Sequence, residues 1–266
     1  MVDLSMFDLL FTTRIPDTLR FIGFGPYHWG AVLITAAVIF FVCAAVKKRD
    51  EAKRRKILRT LAVLVPCVYI SRFIVFLLLD IFVEPQMPFA DRLPFHLCTL
   101  SAVIIIPLAV LSKNKLLLNF VYAVSLPGTA GAMLTPAMSY YGRYAFFSWQ
   151  VVFFYVDHGL MALVAILCVV SGYFRPEPKQ IPRVIVFFSL YAAVIFVVNK
   201  IVHQNYLFLN YPDEGTVMAM LAVYFGNPGY IVPLAAIAVL VIILMYIPVL
   251  LRIKGKDHNM NEGDVS

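Results

Sequence analysis

The sequence predicts an all-α polytopic membrane protein with seven transmembrane helices, its N-terminus outside and its C-terminus cytoplasmic. Three observations carry this reading. Of the 266 residues, 62% are apolar types and 14% are charged, against about 45–50% and about 25% in soluble domains. A soluble fold of this length has too little interior to hide so much apolar surface. The apolar residues also gather in seven stretches, 29–46, 60–83, 95–111, 116–135, 148–172, 184–202 and 228–251, each near the length of about 20 residues that a spanning helix needs. Finally, the connections 47–59, 112–115, 173–183 and 252–266 carry 16 of the 22 Lys and Arg, whereas 1–28, 84–94, 136–147 and 203–227 carry 4. An excess of Lys and Arg marks cytoplasmic loops.

Each part of the chain then has an expected place. Residues 1–28 form an extracytoplasmic, interfacial N-terminal segment, 29–251 the transmembrane domain, and 252–266 a polar cytoplasmic tail. Within the first segment, Phe21 to His28 is aromatic and rich in turn residues, as suits an interfacial anchor. The N-terminus lacks a basic region ahead of an early apolar run, so no cleavable signal peptide is expected. The net charge of +7 does not point to nucleic acid, because eight of the cations lie in one run, Lys47 to Arg59, between two apolar stretches. That run sets topology, with anionic lipid as its alternative partner. Cys43, Cys67, Cys98 and Cys168 all sit in apolar stretches without paired spacing, so no disulfide framework is expected.

Ionisable groups inside spans cost at least about 2.5–3.5 kcal/mol on insertion scales, so they face the protein interior and mark sites. Here they are Arg72, Asp80, His96, Asp157, His158 and Lys200, beside Cys98, Asn119 and Asn199, with His28 and His203 at outer span ends. On the expected topology most of this polarity lies in the outer half of the membrane, which implies a polar cavity open to that side. Structural readings compete at each position. Arg72 and Asp80 are about two turns apart on one face and can neutralise each other or pair with Asp157 and Lys200. Asn199 and His203 share a face, and Asn119 can serve as an interhelical hydrogen bond.

Pro94 to Leu100 is more informative. Proline is favoured at the first helical position, which puts Cys98 about one turn inside a helix N-terminus, where the dipole favours thiolate. Neutral His158 can act as the base for such a thiol. Asp157 lies about 100° around the helix from it and is not assumed to orient the same ring. His96 and Cys98 point apart on a regular helix and reach one site only if the helix start is unwound. Zinc is an alternative, because His28, His96, His158 and His203 all lie toward the outer side. No short ligand motif supports it, and no metal or other cofactor is expected. The small residues of Pro127 to Ala132 permit close helix approach or a broken fourth span.

Taken together, several segments resemble the YwaF-like bacterial integral membrane proteins, a family similar to the eukaryotic transmembrane ether-phospholipid acyltransferases that act as lysophospholipid transacylases. The matching residues are Phe21 to His28, Leu93 to Leu100, Asn119 with Tyr122, Gly128 to Pro136, His158-Gly159, Asn205 to Leu209 and Gly226 to Tyr230. The resemblance implies a seven-span fold with Cys98 as nucleophile and His158 as its partner. It also implies phospholipid and lysophospholipid substrates and a place in the bacterial cytoplasmic membrane. Ala137 after Pro136, and Gly226-Asn227-Pro228, depart from the family pattern and bear on the head group.

The expected function is a coenzyme-A-independent phospholipid acyltransferase or an acyl hydrolase working through an acyl-thioester. His96, Asn119, Asn205 or Arg72 would serve the oxyanion or phosphate, with Asp80, Asp157, Asn199, Lys200 and His203 in support. The alternatives are a transporter or receptor with an intramembrane path through Arg72, Asp80, Asp157 and Lys200, and a zinc-dependent lipid hydrolase.

Overall fold

The computed structural model describes residues 5–83, 89–136, 138–213 and 215–263. Residues 1–4 of the expected N-terminal segment, 84–88 of the expected connection 84–94, Ala137 of 136–147, Glu214 of 203–227, and 264–266 of the expected tail lie outside the described residues. Among those described there is no strand. The helices of more than four residues are α1 (Met6–Phe11), α2 (Pro26–Lys47), α3 (Glu51–Phe82), α4 (Leu97–Ser112), α5 (Lys115–Leu134), α6 (Trp149–Val170), α7 (Ile181–Val202), α8 (Val217–Phe225) and α9 (Ile231–Gly263).

Six helices among the described residues are long and apolar enough to cross a membrane: α2, α3, α5, α6, α7 and α9. The expected third span, α4, is an apolar helix of 16 residues between Leu97 and Ser112, or about 24 Å at about 1.5 Å per residue. That is less than the hydrocarbon core of about 30 Å.

Helix α6 is the hub. Of its membrane-length apolar stretch 72% is buried within the protein, against 11% for α2, α7 and α9. It packs on α2, α3, α4 and α5. Gly159, Ala162 and Ala165 are among its buried positions, and small residues let neighbouring backbones approach. A Cβ built on Gly159 would lie 2.6 Å from Thr35 Cγ2 of α2.

Helix α3 begins at Glu51 rather than at the expected 60. The hydropathy pattern marks only its apolar part, whereas the preceding basic run is itself helical. Asp50 caps it, its carboxylate accepting from the Lys53 N–H at 2.9 Å. The 32 residues span about 48 Å at about 1.5 Å per residue, so the charged turns extend beyond the apolar layer. Helix α9 likewise continues past the expected end at Leu251, to Gly263.

The fourth span does not break at Pro127-Gly128, as the sequence allowed. It widens one turn earlier, into a π-helical turn at Val121–Ser125, and α4 does the same at Ser101–Ile105. Each widened turn precedes a proline by the same spacing, Pro107 in α4 and Pro127 in α5. A proline ring clashes with the carbonyl four residues back and donates no hydrogen bond to it. Here the N–H groups of Ile106 and Leu126 reach back five residues, to the carbonyls of Ser101 and Val121, so both prolines are accommodated without a break. The two turns meet through a buried Ser101–Ser125 hydroxyl pair at 2.8 Å.

The N-terminal segment is more deeply seated than an anchor requires. Phe21 and His28 are buried, and the Phe21 N–H donates to the Tyr144 carbonyl at 2.8 Å. Gly25 is the N-cap of α2, with Pro26 at its first position.

At the other end of the bundle Asn119 joins three segments. Its Nδ2 donates to the Lys115 carbonyl at 2.7 Å, and its Oδ1 accepts from the Glu177 N–H at 3.0 Å and from the buried Tyr246 hydroxyl at 2.9 Å. Asn119→Leu leaves both donors without this acceptor. It is expected to cost about 1–3 kcal/mol, read as a fall in the unfolding temperature in detergent. The Lys115 ammonium 3.0 Å from Glu177 holds that carboxyl below its ordinary range. A depressed folded-state pKa contributes stability above the unfolded value, about 4.3, that is lost as pH falls through the folded value. Acid is therefore expected to lower the unfolding temperature of the wild type more than that of Glu177→Gln.

Candidate functional site

A cavity of about 540 Å³ opens at the end of the bundle where α3 finishes and α4 begins. Most of its walls are helix faces. Tyr69, Arg72, Phe73 and Phe76 come from α3, at the i, i+3, i+4, i+7 spacing of a single stripe. Phe154, Asp157 and His158 come from α6, and Gly128, Ala132 and Thr135 from α5. His96, Cys98 and Thr99 enter at the start of α4, and Gln204, Asn205 and Phe208 close one side.

The start of α4 differs from the expectation in one respect. Pro94 is not its first residue; the helix starts at Leu97, with His96 as N-cap in extended conformation (φ −75°, ψ 151°). Cys98 is thus the second helical residue, closer to the positive end of the dipole than expected. Its sulfur lies beside the backbone N–H groups of Thr99 and Cys98 itself. Because His96 is not helical, its ring and Cys98 line the same cavity, the unwound condition that the sequence required. The His96 ring sits against Tyr206 and Phe208, at centroid distances of 5.4 and 5.5 Å. Gly128 of α5 allows this helix start to dock: a Cβ there would lie 3.0 Å from Leu97 Cδ2.

His158 is buried about two and a half turns into α6. Its Nδ1 lies 2.8 Å from the Phe154 carbonyl. A carbonyl only accepts, so this nitrogen carries the proton and Nε2 is left as the acceptor. The orienting group is backbone, not Asp157.

Arg72, Asp157 and Cys98 lie within electrostatic reach of one another. The Arg72 guanidinium stacks on Phe76 at 5.2 Å and reaches the Tyr141 hydroxyl at 3.4 Å. Arg92 lies over the same Phe76 ring at 5.8 Å and pairs with Asp80. Asp80 therefore neutralises Arg92, not Arg72. Asp157 is 1% exposed and its Oδ1 has no hydrogen-bond partner among the described residues.

The other expected residues lie apart from this cluster. Asn199 is buried, accepting from the Tyr206 N–H and donating to its carbonyl, both at 2.8 Å. Lys200 is exposed, over Phe196 at 5.2 Å. His203 is exposed with a left-handed backbone, φ 55°. His28 is buried in an aromatic box and contacts the Tyr155 hydroxyl at 3.2 Å. Asn119 belongs to the network at the far end.

Asn205 lines the cavity, but its amide serves its own loop. It accepts from the N–H groups of Asn210 and Tyr211 and donates to the Tyr211 carbonyl. That loop carries left-handed Leu207 and Phe208, at φ 56° and 54°, a cost of roughly 1–2 kcal/mol per residue that these hydrogen bonds offset. Among the described residues no three His, Cys, Asp or Glu side chains converge as a metal site would require. Tyr69, Tyr140 and Tyr141 line the cavity and were not singled out by sequence. The spacing of Tyr69 from Arg72 was the one signal available for them.

Fold and cavity together define a helical membrane protein with an open-mouthed site between its helices. The model of the TMEM164 family matches residues 23–246, and the chain belongs to that family. No curated protein and no solved structure matches it.

Proposed function

We propose that this protein is a membrane-embedded acyltransferase that moves acyl chains between lipid esters through Cys98 and His158. The observation that carries the reading is the cavity itself. It holds a cysteine at a helix N-terminus and a histidine whose Nδ1 is committed to a backbone carbonyl, leaving Nε2 as a base. Its volume of about 540 Å³ suits a ligand of drug size, for which pockets run about 300–1,000 Å³. The aromatic walls suit acyl chains and Arg72 suits a polar head. The resemblance to the YwaF-like proteins and the lysophospholipid transacylases supports the same chemistry. In this reading α4 is a seventh crossing, which puts the termini on opposite sides and opens the cavity toward the outer half of a bacterial cytoplasmic membrane.

In the first half-reaction Nε2 of His158 takes the thiol proton and Sγ of Cys98 attacks the ester carbonyl. The backbone N–H groups at the start of α4 face the developing oxyanion. The carbon–oxygen bond to the lysophospholipid then breaks, and its alkoxide leaves with the proton from His158. In the second half-reaction His158 deprotonates the hydroxyl of an incoming lysophospholipid, whose oxygen displaces Sγ from the thioester, and the proton passes from His158 to the departing thiolate, which restores the Cys98 thiol. Splitting one acyl transfer into two steps lowers each barrier, and no coenzyme A is required.

The test is transfer of a labelled acyl chain from phospholipid to lysophospholipid in proteoliposomes. The wild type is expected to catalyse it and Cys98→Ala is not. Full activity in Cys98→Ala would refute the assignment.

A further inference from the structure

The charges in this cavity do not balance by contact. Arg72 lies in the apolar part of α3, where an uncompensated cation is costly. Among the described residues no carboxylate oxygen comes within ion-pair distance of it: Asp80 is taken by Arg92, and Asp157 interacts only at longer range. Of the guanidinium's five donors, one reaches the Tyr141 hydroxyl, at the long distance of 3.4 Å, and Nε is buried without an acceptor among the described residues. One face is held by the Phe76 ring. The side chain is therefore fixed in orientation, presents unused donors beside Cys98, and has no carboxylate in contact with it among the described residues.

We infer that Arg72 is the phosphate-binding residue of this cavity, its guanidinium fork taking two oxygens of a lipid phosphate while the adjoining acyl ester reaches Cys98. A planar fork matches phosphate oxygens bidentately, which a lysine does not. Phe76 and Tyr141 pre-orient the fork, so little rotamer entropy is lost on binding. Asp157, buried in the same cavity, repels a second negative charge and limits the site to a singly charged phosphodiester or a protonated monoester. The inference rests on the proposed function for the role of Cys98, but phosphate recognition by Arg72 is testable without any acyl transfer.

The experiment uses the full-length protein in a non-ionic maltoside detergent and reads its unfolding temperature against added dodecyl phosphate, dodecanol or inorganic phosphate. Dodecyl phosphate is expected to stabilise the wild type, and dodecanol and inorganic phosphate much less. Arg72→Gln is expected to weaken dodecyl phosphate binding about 10-fold or more, in line with a charge-assisted hydrogen-bonded pair. Arg72→Lys keeps the charge but not the fork and falls between. Asp157→Asn, which leaves Arg72 in place, is expected to bind dodecyl phosphate more tightly than the wild type. Equal binding by Arg72→Gln, or equal stabilisation of the wild type by dodecanol, would overturn the assignment. Equal stabilisation by inorganic phosphate would overturn its lipid part. Arg72-dependent binding in a protein that transfers no acyl chain would uphold the phosphate site and reject the transferase reading.

Discussion

Replacing Cys98 with alanine is expected to abolish acyl transfer, because no other group in the cavity can carry the acyl chain as a thioester. His158→Ala is expected to lower the rate by about 10³-fold or more, as loss of the base does where nucleophile and base act as a unit. The double variant should be no slower than the slower single one, since either change alone disables the pair. His158→Asn preserves much of the volume and removes the base, so it should behave like His158→Ala. Labelled acyl transfer in proteoliposomes, normalised to folded protein, reads all four. A His158→Asn protein with near-normal activity would remove the histidine from the mechanism even if Cys98 remained essential.

The second large effect concerns packing. Gly159 sits where α6 meets α2, and a methyl group there meets Thr35 Cγ2 at 2.6 Å. Thr35 cannot turn away freely, because its hydroxyl donates to the Ala31 carbonyl at 2.8 Å. Gly159→Ala is therefore expected to force the helices apart or break that hydrogen bond, at about 1–3 kcal/mol. It should also displace His158, the preceding residue, and lower activity with it. Thr35→Ala removes the obstructing methyl group, so the pair Thr35→Ala and Gly159→Ala should recover most of the unfolding temperature. An unchanged temperature in Gly159→Ala alone would show that this helix contact is looser than the distances state.

Much of this architecture was legible in the sequence, and the reasons differ by element. Apolar stretches placed most spans to within a few residues, because lipid-facing surface must be apolar wherever it falls. Ends defined by other forces were missed. The basic turns of α3 are helical but not apolar, and α4 starts late because His96 is extended. The widened turns at Pro107 and Pro127 depend on how a helix absorbs a missing donor, which hydropathy does not register.

At the site, Cys98, His158, His96, Arg72 and Asp157 were picked out as polar groups in apolar surroundings, and the fold brings all five to one cavity. The same criterion picked out Asn119, Asn199 and Lys200, which lie elsewhere, because intramembrane polarity also serves helix joints and loop anchors. Tyr69, Tyr140 and Tyr141 escaped it, since tyrosine is ordinary in a membrane protein and only tertiary packing brings Tyr69 to the same cavity as the Tyr140-Tyr141 pair.

The central claim is a covalent acyl-enzyme at Cys98, and intact-protein mass spectrometry after incubation with phospholipid vesicles tests it most directly. The account predicts a fatty-acyl mass on the wild type that neutral hydroxylamine removes and that Cys98→Ser does not show as a hydroxylamine-labile species. Turnover of lipid acyl chains by the wild type with no such adduct, even in His158→Asn or when the acceptor lipid is withheld, would contradict it.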